Sequence, residues 1–294
     1  MTGTLSTRAA DTGRHPLRSY LKMMVGVLIV LALALAFPAW RHLASVTAET
    51  GWAHSVYRNS IERVSALAKD DRNELYATQE YHDGKGTLLQ QQADGRFIPV
   101  MQGLSKPDGL LSYRGGLAIS QEGGNLPVLW MHGGQTSSLL LGQGVEQLAS
   151  DGYYLYAIED QSSGRLLRFD PQSGKTVVLR DGLNEAEAVT VCPDGQLFYA
   201  EKTRGWVKRL KEDGADETVW SGLNQPGYLL CTDEGLWVSE DATHMARLLL
   251  MDKTGTQHVV LDHLRSPQTL LPVSPRRYLL AEQGRNRILE LNRL

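Results

Sequence analysis

The chain has 294 residues, of which 42% are hydrophobic and 21% charged, with 29 glycines and 11 prolines. That composition excludes a disordered, collagen-like or coiled-coil protein and leaves room for one large domain or two ordinary ones. A net charge of −3 without a concentrated basic stretch argues against nucleic acid as a partner, and two cysteines exclude a disulfide-dense mini-fold or an all-cysteine zinc site.

In chain order, the first element is an uncharged run of 18 residues, Met23 to Trp40, rich in Leu, Val and Ala. As a helix it would be about 27 Å long, close to the ~30 Å hydrocarbon core of a bilayer. Arg8, Arg14, Arg18 and Lys22 precede it against the single acid Asp11, and Arg41 and His42 follow. The upstream positive charge predicts a cytoplasmic basic tail over 1–22, a transmembrane anchor over 23–40 and a linker over 41–51. Everything beyond would then lie outside the cytoplasm, in the periplasm of a Gram-negative source. Two alternatives are a signal peptide cleaved after Val46-Thr47-Ala48, which lies late for such a site, and a buried core helix, which an uncharged run of this length does not suit.

From about Gly51 the pattern changes to short alternating strands separated by Gly, Asp, Asn and Pro turns. Gly103-Leu104, Gly182-Leu183, Gly222-Leu223 and His263-Leu264 recur at spacings near 40 residues, with Gly142 to Gly144 filling the gap. A second marker keeps the same beat: an apolar strand ends in an acid or amide at Gln79, Gln121, Glu159, Glu201, Glu240 and Glu282. Asp94-Gly95, Asp194-Gly195 and Asp213-Gly214 mark hairpins. Six antiparallel units at this period predict an all-β, six-bladed propeller of four-stranded blades over 52–294, since a small sheet can bury its faces only against its neighbours. The expected blades are 61–104, 105–144, 145–183, 184–223, 224–264 and 265–294. The last is short of a strand, which the segment 52–60 would supply, closing the ring and removing its exposed edges.

The stretch Ala281-Glu282-Gln283-Gly284-Arg285-Asn286-Arg287-Ile288 resembles the core of an NHL repeat. The segments from Glu187 to Gly195 and from Pro226 to Leu230 resemble the gluconolactonase/regucalcin family and its strictosidine-synthase-like relatives. All are six-bladed propellers, and the likeness spans about 230 residues. Its motifs are structural, so it speaks to fold rather than chemistry.

For chemistry, there is no Gly-x-Ser-x-Gly elbow and no His-Glu-x-x-His, and the histidines show no metal-ligand spacing. Ser173-Gly174-Lys175-Thr176 imitates a phosphate loop, but Phe169 stands where its first glycine belongs. The starts of the innermost strands face the channel mouth of a propeller. Counting back from each blade's first turn places Asp108, Gly144, Glu187, Gly227 and Gln268 or Thr269 there, with Glu62 near the equivalent point of the first blade. Glu62, Asp108 and Glu187 are therefore the candidate metal ligands, for Ca²⁺ or another divalent cation, and Gln268 and Arg63 the candidate ligand-binding residues at the mouth. The resemblance implies a metal held by a Glu, two Asn and an Asp. Here Glu62 would match the Glu, Glu187 replaces one Asn, Gly144 falls at the other and Gly227 at the Asp. The recurring Glu159, Glu201, Glu240 and Glu282 are expected to accept backbone hydrogen bonds from the next turn. Cys192 and Cys231 occupy matching positions in adjacent blades and are expected to remain buried free thiols, on the view that neighbouring inner strands diverge beyond disulfide reach.

Two functions follow: a membrane-anchored binding or scaffold propeller offering one face to a protein or small molecule, or a divalent-metal-dependent lactonase or esterase. Loss of most of the family's ligand pattern favours the first.

Overall fold

The computed structural model describes residues 16–294, with the side chains of 16–19, 38, 39 and 42 left aside. Arg8, Asp11 and Arg14, which entered the topology expectation, lie outside the described residues. Two units are distinct: Met1–Ala44 and Ser45–Leu294.

In the first, one helix runs from Pro16 to Leu43 and contains the apolar window Tyr20–Phe37, none of it buried. From Met23 to Phe37 it is apolar on every face, so this stretch lacks the polar stripe of a helix made for a water–core boundary. Length and composition suffice to cross a membrane, as an anchor or as a signal sequence.

The second unit is a ring of six antiparallel sheets. Innermost to outermost, blade 1 holds Val64–Lys69, Leu75–Gln79, Gly86–Gln91 and Phe97–Leu104. Blade 2 holds Leu110–Tyr113, Gly116–Ile119, Asn125–His132 and Gln135–Gln143. Blade 3 holds Val145–Ser150, Leu155–Glu159, Gly164–Asp170 and Lys175–Leu183. Blade 4 holds Ala186–Val191, Leu197–Glu201, Trp206–Arg209 and Glu217–Ser221. Blade 5 holds Pro226–Thr232, Gly235–Glu240, Ala246–Asp252 and Gln257–Leu264. Blade 6 takes Pro267–Ser274, Arg277–Glu282 and Arg287–Arg293 from the C-terminus and its outermost strand, Trp52–Asn59, from the start of the propeller.

The core explains why a repeat of this kind must close. There are six apolar clusters, and each lies between two consecutive blades; Trp237 and Leu248 of blade 5, for instance, meet Leu270 and Tyr278 of blade 6. Both faces of every sheet are therefore buried by neighbours, which is why the inner two strands lose the apolar–polar alternation of a one-sided sheet. Innermost strands touch in sequence around the ring, and that of blade 6 meets that of blade 1.

Two features depart from the expectation. The stretch assigned to a linker contributes a fifth strand to blade 5: Thr47 and Ala48 pair with Asp262 and Leu261, the Glu49 amide donates to the Val260 carbonyl at 3.0 Å, and Val46 is buried beside Trp237 and Leu261. The cysteines form a disulfide instead of remaining free, with their Cα atoms 4.9 Å apart. Neighbouring innermost strands converge on the axis rather than diverging, close enough here for the Cys231 amide to donate to the Thr190 hydroxyl of the next blade. That convergence meets the geometric requirement of the bridge.

Candidate functional site

Each blade places two residues around one end of the channel, and the same local event sets both. In five blades the first residue of the innermost strand pairs with the repeated acid or amide: Val64 with Gln79, Val145 with Glu159, Ala186 with Glu201, Pro226 with Glu240 and Pro267 with Glu282. The register shifts directly after each of these pairs. Such a bulge leaves one residue outside the ladder and re-aims its side chain. The residues so released are Ser65, Glu146, Glu187, Gly227 and Gln268. Asp108 completes this inner ring from blade 2, accepting a short hydrogen bond from the Ser65 hydroxyl.

The outer ring is the residue after each repeated acid or amide: Glu80, Glu122, Asp160, Lys202, Asp241 and Gln283. Their backbone amides donate to the carbonyls of Arg63, Lys106, Gly144, Glu185, Gln225 and Ser266, respectively. All six acceptor residues have left-handed φ, between 41° and 62°, and only one is glycine. Five non-glycine side chains are thus held in a costly conformation around one opening, the kind of strain that concentrates at binding sites.

Carboxylates dominate the mouth, and two lysines answer them. Lys202 Nζ lies 2.6 Å from Glu187 and 2.9 Å from Asp241, whose other oxygen accepts from the Gln268 amide at 2.9 Å. Lys106 Nζ contacts Glu122 closely and lies 3.7 Å from Glu80, which also accepts from Gln283. Burial alone would lower both lysine pKa values, but the surrounding acids more than reverse this and raise them. Burial followed by the Asp108 charge pushes Glu80 up to about 7, against Lys106. Burial likewise takes Glu187 up to about 8, with Lys202 opposing. Glu146 is raised well above the ordinary carboxyl range by burial, then by Asp108 and Glu187. Oxygens Oε2 of Glu146 and Oδ1 of Asp160 are buried without a hydrogen-bond partner. Below the rings, Gln147 crosses from blade 3: its amide donates to the Leu229 carbonyl at 2.7 Å and its oxygen accepts from the Leu229 and Val189 amides.

Of the sequence candidates, Asp108, Glu187 and Gln268 come together at the mouth, and Arg63 lies in the strained loop beside it, its Nε donating to the Glu80 carbonyl at 3.2 Å. Glu62 does not join them. It is exposed and accepts from the Tyr81 hydroxyl at 2.9 Å. Gly144 is likewise a loop residue, two positions before the true blade-3 contributor, Glu146. Among the described residues the carboxylate triplets with oxygens within 4.8 Å of one another are Glu80, Asp108 and Glu122, and Glu122, Glu146 and Asp160. The repeated acids accept backbone amides as expected, but from the link that enters their own blade and not from the next turn: Glu159, Glu201, Glu240 and Glu282 accept the amides of Gln143, Asn184, Asn224 and Arg265. A cavity of about 760 Å³ between blades 1 and 2 lies by the hairpins at the far ends of the inner strands, and its Asp70 and Arg72 are paired with each other at 3.3 Å.

No protein-family model and no curated protein matches the sequence. Solved structures match the fold. A gluconolactonase from Xanthomonas campestris aligns with a TM-score of 0.69 at 12% identity, over 83% of this chain and 91% of its own. An auxiliary nutrient binding protein from Bacteroides ovatus aligns at 0.61 and 10%, over 84% and 76%. A virginiamycin B lyase from Staphylococcus aureus aligns at 0.58 and 14%, over 79% and 80%. The protein is a six-bladed β-propeller with an N-terminal apolar helix, and it shares its architecture with enzymes and with a binding protein alike.

Proposed function

We propose that this is a membrane-anchored, extracytoplasmic propeller that binds a ligand at its acidic channel mouth, in preference to a metal-dependent lactonase. The observation that carries the reading is Lys202. Its ammonium sits between Glu187 and Asp241, beside Gly227, where the resemblance would seat metal ligands. A Cβ on Gly227 would lie 2.8 Å from the Asp241 Cβ and 3.1 Å from Glu187 Oε2, so no ligating side chain fits there without displacement. With Ser65, Glu146, Glu187 and Gly227 at the mouth positions of blades 1, 3, 4 and 5, and Glu62 exposed outside them, the residues do not fit the Glu, Asn, Asn, Asp set, and no hydrolytic step is derived through a metal.

The compartment rests on three supports. Basic residues precede the apolar helix, and a disulfide suits an oxidising space. The third is that the segment a signal peptidase would need, Val46-Thr47-Ala48, is built into blade 5, which favours an anchor that stays attached.

The test is hydrolysis of glucono-δ-lactone by the full-length protein in detergent with added Ca²⁺, Mg²⁺, Mn²⁺ or Zn²⁺. Background rates are expected with every ion. Turnover above background that Glu187→Gln abolishes would overturn the binding reading.

A further inference from the structure

Resting on that binding reading, we infer that the mouth receives a ligand through a primary ammonium group, seated among Glu122, Glu146 and Asp160. Three observations converge. The first is a pair of undersatisfied oxygens: Glu146 is only 7% exposed, and among the described residues no N–H or hydroxyl donor reaches its Oε2 or Asp160 Oδ1, while the Glu146 carboxyl meets another acid, Asp108. A buried acceptor without a donor is costly enough that proteins satisfy nearly all of them.

The second is precedent within the same ring. The mouth holds two ammonium groups of its own, and each is gripped by two carboxylates from different blades. Lys106 lies between Glu80 and Glu122, and Lys202 between Glu187 and Asp241. Glu146 and Asp160 of blade 3, with Glu122 of blade 2, lie between these two stations; Lys106 and Lys202 act on Glu146 and Asp160 only through charge, and among the described residues no ammonium forms an ion pair with either.

The third is geometry. The three carboxylate oxygens lie within 4.8 Å of one another. Three oxygens this close leave a centre at most about 2.8 Å from each, within reach of charge-assisted hydrogen bonds. An ammonium offers three N–H donors to three such acceptors. Glu122 already carries Lys106, so part of the charge at this place is neutralised before any further cation arrives. Gln147 crosses the axis beneath, tied to Leu229 and Val189, so the remainder of the ligand is placed outward, toward the mouth.

Calorimetry on the full-length protein in detergent tests this with n-butylammonium, tetramethylammonium and Ca²⁺ as probes. One butylammonium per chain is expected. Tetramethylammonium, which has the charge but no N–H, should bind at least tenfold more weakly. Glu146→Gln and Asp160→Asn should each weaken butylammonium at least tenfold in protein whose melt is unchanged, and Asp233→Asn, an exposed site remote from the mouth, should leave it alone. Equal binding of the two ammonium ions, no saturable butylammonium heat, or butylammonium heat insensitive to Glu146→Gln would each overturn the inference. Calcium binding abolished by Glu146→Gln without butylammonium binding would overturn the ammonium assignment while keeping the mouth as a binding site. Metal-dependent lactone turnover, by contrast, would remove the binding reading itself.

Discussion

Residues that are neighbours in sequence have opposite lives in this ring. Glu159, Glu201, Glu240 and Glu282 are all fully or nearly fully buried, each accepts a backbone amide, and each is paired with at least one arginine. One position later stand Asp160, Lys202, Asp241 and Gln283, no two alike in partners, with acids outnumbering the bases that could neutralise them. The first set is uniform because every blade needs the same turn tied to the same strand. The second set is free of that duty, since only its backbone amide is used in the repeat, and its side chains can differ from blade to blade. In a pseudo-symmetric fold, identity marks what holds the blades and departure from identity marks what they offer to a ligand.

Three measurements would break or sharpen this contrast. The largest effect is expected at Glu282, fully buried and bonded to Arg285 and Arg287. Glu282→Gln removes the charge that compensates the Arg287 guanidinium and should cost about 3–5 kcal/mol. A melt lowered by less than a few degrees would show that the repeated acids are dispensable.

Next comes the pH dependence of the melt. Glu80 ionises near the ordinary 4.5 when unfolded and at about 7 when folded, so between those values the folded state holds the extra proton. Stability is then fully present below about pH 4.5 as far as this group is concerned and falls as pH rises through 7, by on the order of 2–3 kcal/mol. A melting temperature declining by roughly 5–10 °C from pH 5 to 8 is expected, and a flat or rising profile would contradict a crowded acidic mouth.

The smallest effect is Glu146→Gln. Burial, then Asp108 and Glu187, disfavour the charge that this substitution removes, and the amide keeps the shape of the side chain, so thermal stability at pH 7 should change by less than about 1 kcal/mol. The same chemical change at Glu282 and at Glu146 thus has very different predicted costs, and equal costs would erase the distinction between the two rings.

The period of 40, the six blades and the structural acids were legible because identical turns demand identical residues. The mouth was legible only in part. Counting from the first turn of each blade reaches Asp108, Glu187 and Gln268 but stops at Glu62 instead of Ser65 and at Gly144 instead of Glu146, because hairpin lengths differ between blades. Counting from the repeated acid works everywhere: the inner-ring residue lies 13 or 14 positions before it in all six blades. The outer ring had a simpler signal, the residue after each acid, and was hidden by its own chemical variety. Pairing of Cys192 with Cys231 depended on how closely inner strands approach at the axis, a tertiary distance that spacing along the chain does not encode.

Trp52–Asn59 gives the ring a seam. At blade 6 the circle is completed by hydrogen bonds and packing between the two ends of the propeller's chain. Beginning at the neighbouring blade, a covalent bridge fastens blade 5 to blade 4, and the Gln147 amide laces blade 3 to both. The circle is therefore not equally strong around its circumference, and the opening with the lowest barrier is the one that lifts the first strand from the last. That strand follows the apolar helix by a few residues, with Thr47 and Ala48 stitched to blade 5 in between. Tension applied through the helix would have to undo this short stitch before it could reach the seam, so two edge residues act as strain relief for the whole circle.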